Sequence, residues 1–249
     1  MELFLSLAAL WGFALLPAAA PVALRCGLTA CLRFSPRAAL ALSSCAALAG
    51  CASHLLCRGG IRAIPIRQRT LVTSAAFIGG TVGRMLLLMF TARFSGSLAL
   101  ARIQTVPLML LALAASLPRQ MHLPRSRAGF FVYALLCAAC EGFFGCGGMA
   151  LFLLAGYSGV RRRRVSPPGA ALLLGTIAQL SALLLTQFSG AAEIFPARLP
   201  LSLAAAAWLG GAVFEKTKKR GAIQKGLRIA LYVYMMLAAL SCAEQAFLH

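Results

Sequence analysis

Long apolar blocks separated by short basic segments constrain this chain more than any other feature of its sequence. Of its 249 residues, 61% are hydrophobic and only 12% are charged, and this charged fraction is about half that of a soluble globular domain. So few polar residues cannot cover the surface of a water-soluble fold of this length. Because the apolar residues form blocks rather than alternating stripes, the pattern predicts helices that cross a membrane.

The blocks predict an all-α, polytopic membrane protein with about eight transmembrane helices. About 20 residues in helical conformation cross a hydrocarbon core that is about 30 Å thick. The first and fifth blocks contain proline or glycine clusters in their middles, so each is predicted to be broken into two half-helices. The predicted spans are residues 3–24, 38–57, 70–92, 98–117, 128–155, 168–188, 199–214 and 228–247.

The net charge of +19, from 24 Lys and Arg against 5 Asp and Glu, has a topological explanation. Basic residues are more frequent in the loops after the first, third, fifth and seventh predicted spans, including four consecutive Arg at 161–164. Basic loops are retained on the cytoplasmic side, so we expect those loops in the cytoplasm and both termini outside. The predicted location is the cell membrane, specifically a bacterial inner membrane, with lipid and not nucleic acid as the surrounding partner.

The two halves of the chain resemble each other at an offset of about 130 residues. The corresponding segments are 11–13 with 141–143, 39–44 with 171–176, and 77–82 with 208–213. Three matches in order, at nearly constant spacing, predict a duplication with repeats at residues 1–120 and 121–249. Duplicated halves are common in secondary transporters, whose substrate sites lie near mid-membrane on broken helices.

The most informative motif is Glu141-Gly142-Phe143-Phe144-Gly145-Cys146-Gly147-Gly148-Met149. Each glycine disfavours a helix by about 1 kcal/mol relative to alanine, so this cluster predicts a break within the span. A half-helix N-terminus at the break would present N–H groups that suit an oxyanion; close helix packing through small residues is the alternative. The ionisable Glu141 is a candidate for proton coupling, or for a hydrogen bond that fixes the break.

This motif resembles the signature of the TauE/SafE sulfite-exporter family, also called the TSUP transporters. The second half resembles the family throughout, with a basic loop, a span containing Thr176 and Gln179, and a span containing Gly210 and Gly211. The first half departs from it, because alanines and two prolines stand where the family has its other glycine signature. In the second half, Gln179 stands in place of a family Asn, or that Asn is absent if Gly175 holds its place. The resemblance implies a secondary permease for a small, sulfur-containing anion such as sulfite or an organosulfonate.

The resemblance also implies transport driven by an ion gradient, with protons as the coupling ion, no cofactor and no enzymatic activity. The sequence contains no Gly-x-x-x-x-Gly-Lys-Ser/Thr phosphate-binding loop, which agrees with transport that does not use ATP. We predict that the substrate site combines the glycine break with the following span and with the first half of the chain. The predicted site residues are Glu141, Gly142, Gly145, Gly147, Gly148, Thr176, Gln179, Gly12 and Phe13.

Two other functions stay open at this stage. One is an accessory or structural membrane protein that has lost transport, which the divergent first half favours. The other is an intramembrane thiol enzyme that uses Cys137 and Cys140, whose spacing is that of a redox or metal pair; two isolated cysteines do not complete a zinc site. Arg84, within the third span, either pairs with an anion or an acid or extends to the membrane interface.

Overall fold

The structure, a computed structural model, describes residues 2–15, 20–28, 34–57, 61, 64–93, 124, 126–145, 167–189 and 198–217. Over these ranges the chain forms helices and no strands, which confirms the predicted all-α class there. The helices are α1 (Glu2–Leu15), α2 (Ala20–Cys26), α3 (Pro36–Cys57), α4 (Ile66–Arg93), α5 (Arg127–Phe144), α6 (Pro167–Phe188) and α7 (Arg198–Thr217). The predicted spans 98–117 and 228–247 lie outside the described residues.

Four of the helices, α3 to α6, are long and apolar enough to cross a membrane. The apolar parts of α1 and α7 are shorter, at Leu3–Ala14 and Arg198–Val213. Large apolar side chains on the outside of the bundle, such as Phe77 and Met89 of α4, are more than half exposed, as expected of a surface that contacts lipid. The described fold is therefore that of a helical, membrane-embedded protein.

A helix end lies at each of the two predicted breaks. In the first block, α1 ends at Leu15 and α2 begins at Ala20. A Cβ atom at Gly12 would lie 3.3 Å from the Cβ of Ala20, whereas positions eight apart in one continuous helix are separated by about 12 Å. The chain therefore bends sharply between α1 and α2. In the second block, α5 ends at Phe144, and Gly145 follows in the left-handed region with φ +74°.

The helices pack in an exchanged arrangement between the two halves of the sequence. The last described helix of the first half, α4, packs against α5 and α6 of the second half. The last described helix of the second half, α7, packs against α1 and α3 of the first half. Between these two groups, α3 and α6 contact each other. Each half therefore completes its packing with helices of the other.

Glycine pairs make the close helix approaches in both groups. In α4, a Cβ atom at Gly79 would lie 2.5 Å from the carbonyl oxygen of Leu135 in α5. In α7, a Cβ atom at Gly211 would lie 2.6 Å from the carbonyl oxygen of Gly50 in α3. Side chains at these positions would force the backbones apart, so the glycines determine how closely the helices pack.

Ser126 caps the first turn of α5, and its removal should weaken that helix measurably. The Ser126 Oγ accepts a hydrogen bond from the backbone N–H of Gly129 at 3.0 Å. We expect Ser126→Ala to lower the free energy of unfolding by about 1 kcal/mol, because a donor of the first turn loses its partner. Denaturant unfolding in detergent measures the change. Ser74→Ala, at an exposed position within α4, is the control; an equal loss in both variants would contradict the capping role.

Candidate functional site

Buried polar side chains gather around the C-terminal end of α5. Nine polar or charged side chains are buried among the described residues. Five of them surround the end of α5, and we call these five the polar cluster. Its members are Arg25 of α2, Ser44 of α3, Arg84 of α4, Glu141 of α5 and Gln179 of α6. Ionisable side chains inside a membrane bundle are unfavourable unless they are paired or have a function, so this cluster is the candidate site.

Gln179 joins α6 to the end of α5 through two hydrogen bonds. Its Nε2 donates to the Oε1 of Glu141 at 2.7 Å and to the carbonyl oxygen of Gly145 at 2.9 Å. Glu141 and Gln179 are each 1% exposed, and the N–H of Gly145 donates to the carbonyl oxygen of Glu141 at 2.7 Å. Three of the predicted site residues, Glu141, Gly145 and Gln179, are thus brought together by direct contacts.

Arg25 lies at the same helix end. Its Nη1 donates to the carbonyl oxygen of Phe144, the last residue of α5. The last carbonyl groups of a helix lack partners within the helix and carry its negative dipole end, so a guanidinium group stabilises them. The predicted first span ends at residue 24 and so leaves Arg25 in the following loop, but the structure places Arg25 in the last turn of α2. Because the chain bends before Ala20, α2 packs against α3 and holds Arg25 inside the bundle, where it is 2% exposed.

Arg84 enters the cluster from α4. The residue before it, Gly83, touches α5 so closely that a Cβ atom there would overlap the carbonyl oxygen of Ala139. This contact holds Arg84 level with the last turn of α5. Its side chain is 3% exposed, so extension to the membrane interface was the wrong interpretation. Arg25 and Glu141 are both close enough to act on Arg84 electrostatically.

The absence of a side chain at Gly145 leaves polar groups beside the helix end. A Cβ atom at Gly145 would lie 3.3 Å from Arg25 Nη1 and 3.7 Å from Ser44 Oγ. Ser44 is fully buried, and its hydroxyl group has no hydrogen-bond partner among the described residues. The described end of the break is a helix C-terminus, so the positively charged groups in this part of the chain are guanidinium groups and not the free backbone N–H groups of a helix N-terminus.

The other predicted site residues lie elsewhere or outside the described part of the chain. Gly142 packs against the backbone of Gly80. The hydroxyl group of Thr176 donates within its own helix, to Leu172 O at 2.7 Å. Phe13 is fully buried, and its ring fills the space beside Gly50. Gly12 faces Ala20 at the bend, and Gly147 and Gly148 fall outside the described residues.

Three members of the cluster, Arg25, Ser44 and Arg84, are not among the predicted site residues, although pairing with an anion or an acid was one of the two predictions for Arg84. The signal for Arg25 was the predicted break in the first block, which leaves this residue at the end of the second half-helix. Ser44 carried no signal, because its neighbour Ser43 is the same residue type and instead donates to Leu40 O at 3.1 Å.

The cysteines of α5 lie one turn before the polar cluster. Cys137 is buried, Cys140 is half-buried, and both are free thiols. Over the described ranges, no three His, Cys, Asp or Glu side chains are grouped as a metal site requires. Glu141 instead accepts a hydrogen bond from the amide group of Gln179 and acts electrostatically on Arg84.

Comparisons of the whole chain with protein-family models, with curated proteins and with solved structures gave no match.

Proposed function

We propose that this protein is a secondary permease that moves a small anion through its helix bundle, with the substrate site at the polar cluster. The observation that carries the proposal is the buried charge at the end of α5. Two guanidinium groups, of Arg25 and Arg84, lie near one carboxyl group, of Glu141. Cations outnumber acids there, and all three side chains are at most 3% exposed, so the charges are weakly screened and the cluster attracts an anion.

The location of these charged groups within the fold favours transport of an anion across the membrane over binding without transport. The cluster lies where helices of both sequence halves meet: α2, α3 and α4 from the first, α5 and α6 from the second. Substrate sites of duplicated transporters lie at such meeting points, on interrupted helices. The sharp bend between α1 and α2 and the left-handed Gly145 at the end of α5 are two such interruptions.

We further propose the finer architecture of eight spans in two repeats. The exchanged packing supports it. The helix α4 packs against α5 and α6 of the other half, and in the same way α7 packs against α1 and α3 of the other half. The aligned glycine pairs 79–80 and 210–211 support it as well, because each pair makes the close contact of its own group. We also propose a location in the plasma membrane, specifically a bacterial inner membrane, with the more basic loops on the cytoplasmic side.

The substrate class and the energy source follow from the resemblance to the TauE/SafE family. We propose a sulfur-containing anion, sulfite or an organosulfonate, and protons as the coupling ion. Glu141 is the coupling candidate, because it is the one acidic side chain in the cluster. Protonation of its carboxyl group would raise the net positive charge around the anion, and its ionisation would lower it, so proton binding and anion binding would favour each other.

Flux through purified protein in lipid vesicles tests this proposal. Labelled sulfite and methanesulfonate would be followed with and without an imposed proton gradient. We expect gradient-dependent flux in the wild-type protein and at least about a tenfold reduction in Glu141→Gln and in Gly145→Leu. The first change removes the coupling charge, and the second places a side chain against Leu40, Arg25 and Ser44 at a backbone conformation that favours glycine.

Ala205→Leu, an equally large side chain at an exposed position of α7, is the matched control and should leave flux unchanged. No flux of any tested anion through the wild-type protein would contradict the permease. The accessory or structural role would then be favoured, because the described fold would stand without transport.

A further inference from the structure

Arg84 is distinctive within the polar cluster because one edge of its guanidinium group is unoccupied. Its Nε and Nη2 atoms have no hydrogen-bond partner among the described residues, although the side chain is 97% buried. These two nitrogen atoms lie on the same edge of the planar group, and their N–H bonds point the same way. That edge is the one with which arginine binds two oxygen atoms of a single carboxylate, sulfonate or phosphate group.

An unoccupied edge of this kind is strongly unfavourable inside an apolar bundle. A buried charge whose donors are unsatisfied loses its hydration without replacement, and a leucine at position 84 would avoid the loss entirely. Glu141 is the nearby acid, but its Oε1 accepts from Gln179, and it makes no hydrogen bond to Nε or Nη2 of Arg84. The free edge therefore suits a partner that the described residues do not supply.

The surroundings favour an anionic partner. Arg25 acts on Arg84 with like charge, and an anion held near both guanidinium groups would relieve that repulsion. The Oγ of Ser44, beside Arg25 at the end of α5, is a further buried group without a partner among the described residues, and it can donate to an oxygen atom.

We propose that Arg84 is the residue that recognises the anion, binding two oxygen atoms of one oxyanion through its Nε–H and Nη2–H groups. Arg25 keeps its bond to the carbonyl oxygen of Phe144 and contributes charge. The consequence is selectivity: a sulfonate or sulfite offers one oxygen atom to each donor along a straight N–H···O line, whereas a single halide ion is reached by both donors only through bent hydrogen bonds. This inference rests on the proposed function only in taking the bound oxyanion to be the transported one.

The test measures binding directly, by isothermal titration calorimetry of the detergent-purified full-length protein with methanesulfonate and, separately, with bromide. Arg84→Lys keeps the charge and removes the two-nitrogen edge. We expect methanesulfonate to bind Arg84→Lys at least about tenfold more weakly than the wild-type protein, which corresponds to the loss of one charge-assisted hydrogen bond. The ratio of the methanesulfonate affinity to the bromide affinity should also be lower in Arg84→Lys than in the wild-type protein. Arg93→Lys, at the exposed end of the same helix, should bind both anions as the wild-type protein does.

The ratio of the two affinities is measured on one preparation, so a partly misfolded variant changes the amount of anion bound and not the ratio. An Arg84→Lys protein with wild-type affinity and wild-type preference would overturn the assignment, as would a wild-type protein that binds no oxyanion. If oxyanion binding requires Arg84 but the protein shows no flux, the role of Arg84 stands and the permease is refuted. If flux occurs and does not depend on Arg84, the permease stands and the role of Arg84 is refuted.

Discussion

Gly142→Ala is expected to lower the melting temperature of the purified protein by roughly 6–12 °C, as follows from a loss of about 3 kcal/mol in a protein of this size. A Cβ atom at position 142 would overlap the carbonyl oxygen of Gly80 and lie 2.9 Å from its Cα atom. Both residues belong to helix backbones, so no flexible side chain can move aside. The added methyl group must therefore push α4 and α5 apart.

The separation affects more than one contact. Gly83 also meets α5 through its backbone, with Phe143 N only 2.8 Å from where a Cβ atom would be. If α4 and α5 move apart to accommodate an alanine at position 142, the space for a methyl group at position 83 increases as well. We therefore expect the double variant Gly83→Ala with Gly142→Ala to lose less stability than the sum of the single variants, because one separation accommodates both methyl groups.

Ala128→Val is the control for added volume on the same helix. Ala128 is exposed near the beginning of α5, and its substitution should change stability by no more than about 0.5 kcal/mol. Thermal unfolding in detergent, followed by circular dichroism, compares the wild-type protein with Gly142→Ala, Gly83→Ala, the double variant and Ala128→Val. Equal melting temperatures for Gly142→Ala and the wild-type protein would show that α4 and α5 do not approach at this glycine.

The sequence was sufficient to predict most of the described helices. The observed bounds of α3, α4, α6 and α7 lie within four residues of the predicted spans. The reason is physical: a membrane-spanning helix needs apolar side chains along its whole length, so the length of the apolar block in the sequence predicts the length of the helix. An acid inside such a block also stands out, and Glu141 was identified for that reason.

The contacts between helices could not be predicted in the same way. Arg25 follows an apolar block, and a basic residue in that position is usually in a loop; only the packing of α2 against α3 places it inside the bundle. Ser43 and Ser44 are adjacent and chemically identical. Their different surroundings depend on which face of α3 meets the end of α5, and that is a property of tertiary packing.

In the glycine motif, too, the sequence predicts the interruption of a helix but not the contacts of each residue. Sequence analysis left two explanations for its glycines, close packing and a break beside a ligand. Close packing applies to Gly142, which lies against Gly80, whereas Gly145 ends the helix beside Arg25 and Ser44. The spacing of the motif indicates that a helix is interrupted, but the role of each glycine depends on which helix passes beside it.

Gln179→Leu is expected to reduce both stability and flux. The leucine side chain has nearly the same volume, but it removes the donor that joins Glu141 Oε1 and Gly145 O. Removing a neutral donor that is hydrogen-bonded to a buried charged group typically lowers stability by about 1.5–3 kcal/mol, because the oxygen atoms of Glu141 and Gly145 each lose this donor. We expect a loss near the lower value, together with at least about a tenfold loss of anion flux as the end of α5 becomes less well fixed.

Gln187→Leu is a closely matched control, since it is the same substitution two turns later in the same helix at an exposed position. It should leave both measurements close to those of the wild-type protein. If Gln179→Leu and Gln187→Leu behaved alike, the hydrogen bonds of Gln179 would have no role in holding the site.

Gln179→Asn tests whether the length of the side chain matters in addition to its amide group. Asparagine keeps the NH2 group but is one methylene shorter, about 1.5 Å, so it cannot hold Glu141 and Gly145 at the same time at 2.7 and 2.9 Å. We expect this variant to retain more stability than Gln179→Leu, because one hydrogen bond can still form, and yet to show the same low flux. Stability and flux that fell in parallel across both variants would mean that Gln179 only supports the fold. Low flux at near-normal stability would mean that the bridge between α5 and α6 positions the groups that handle the anion.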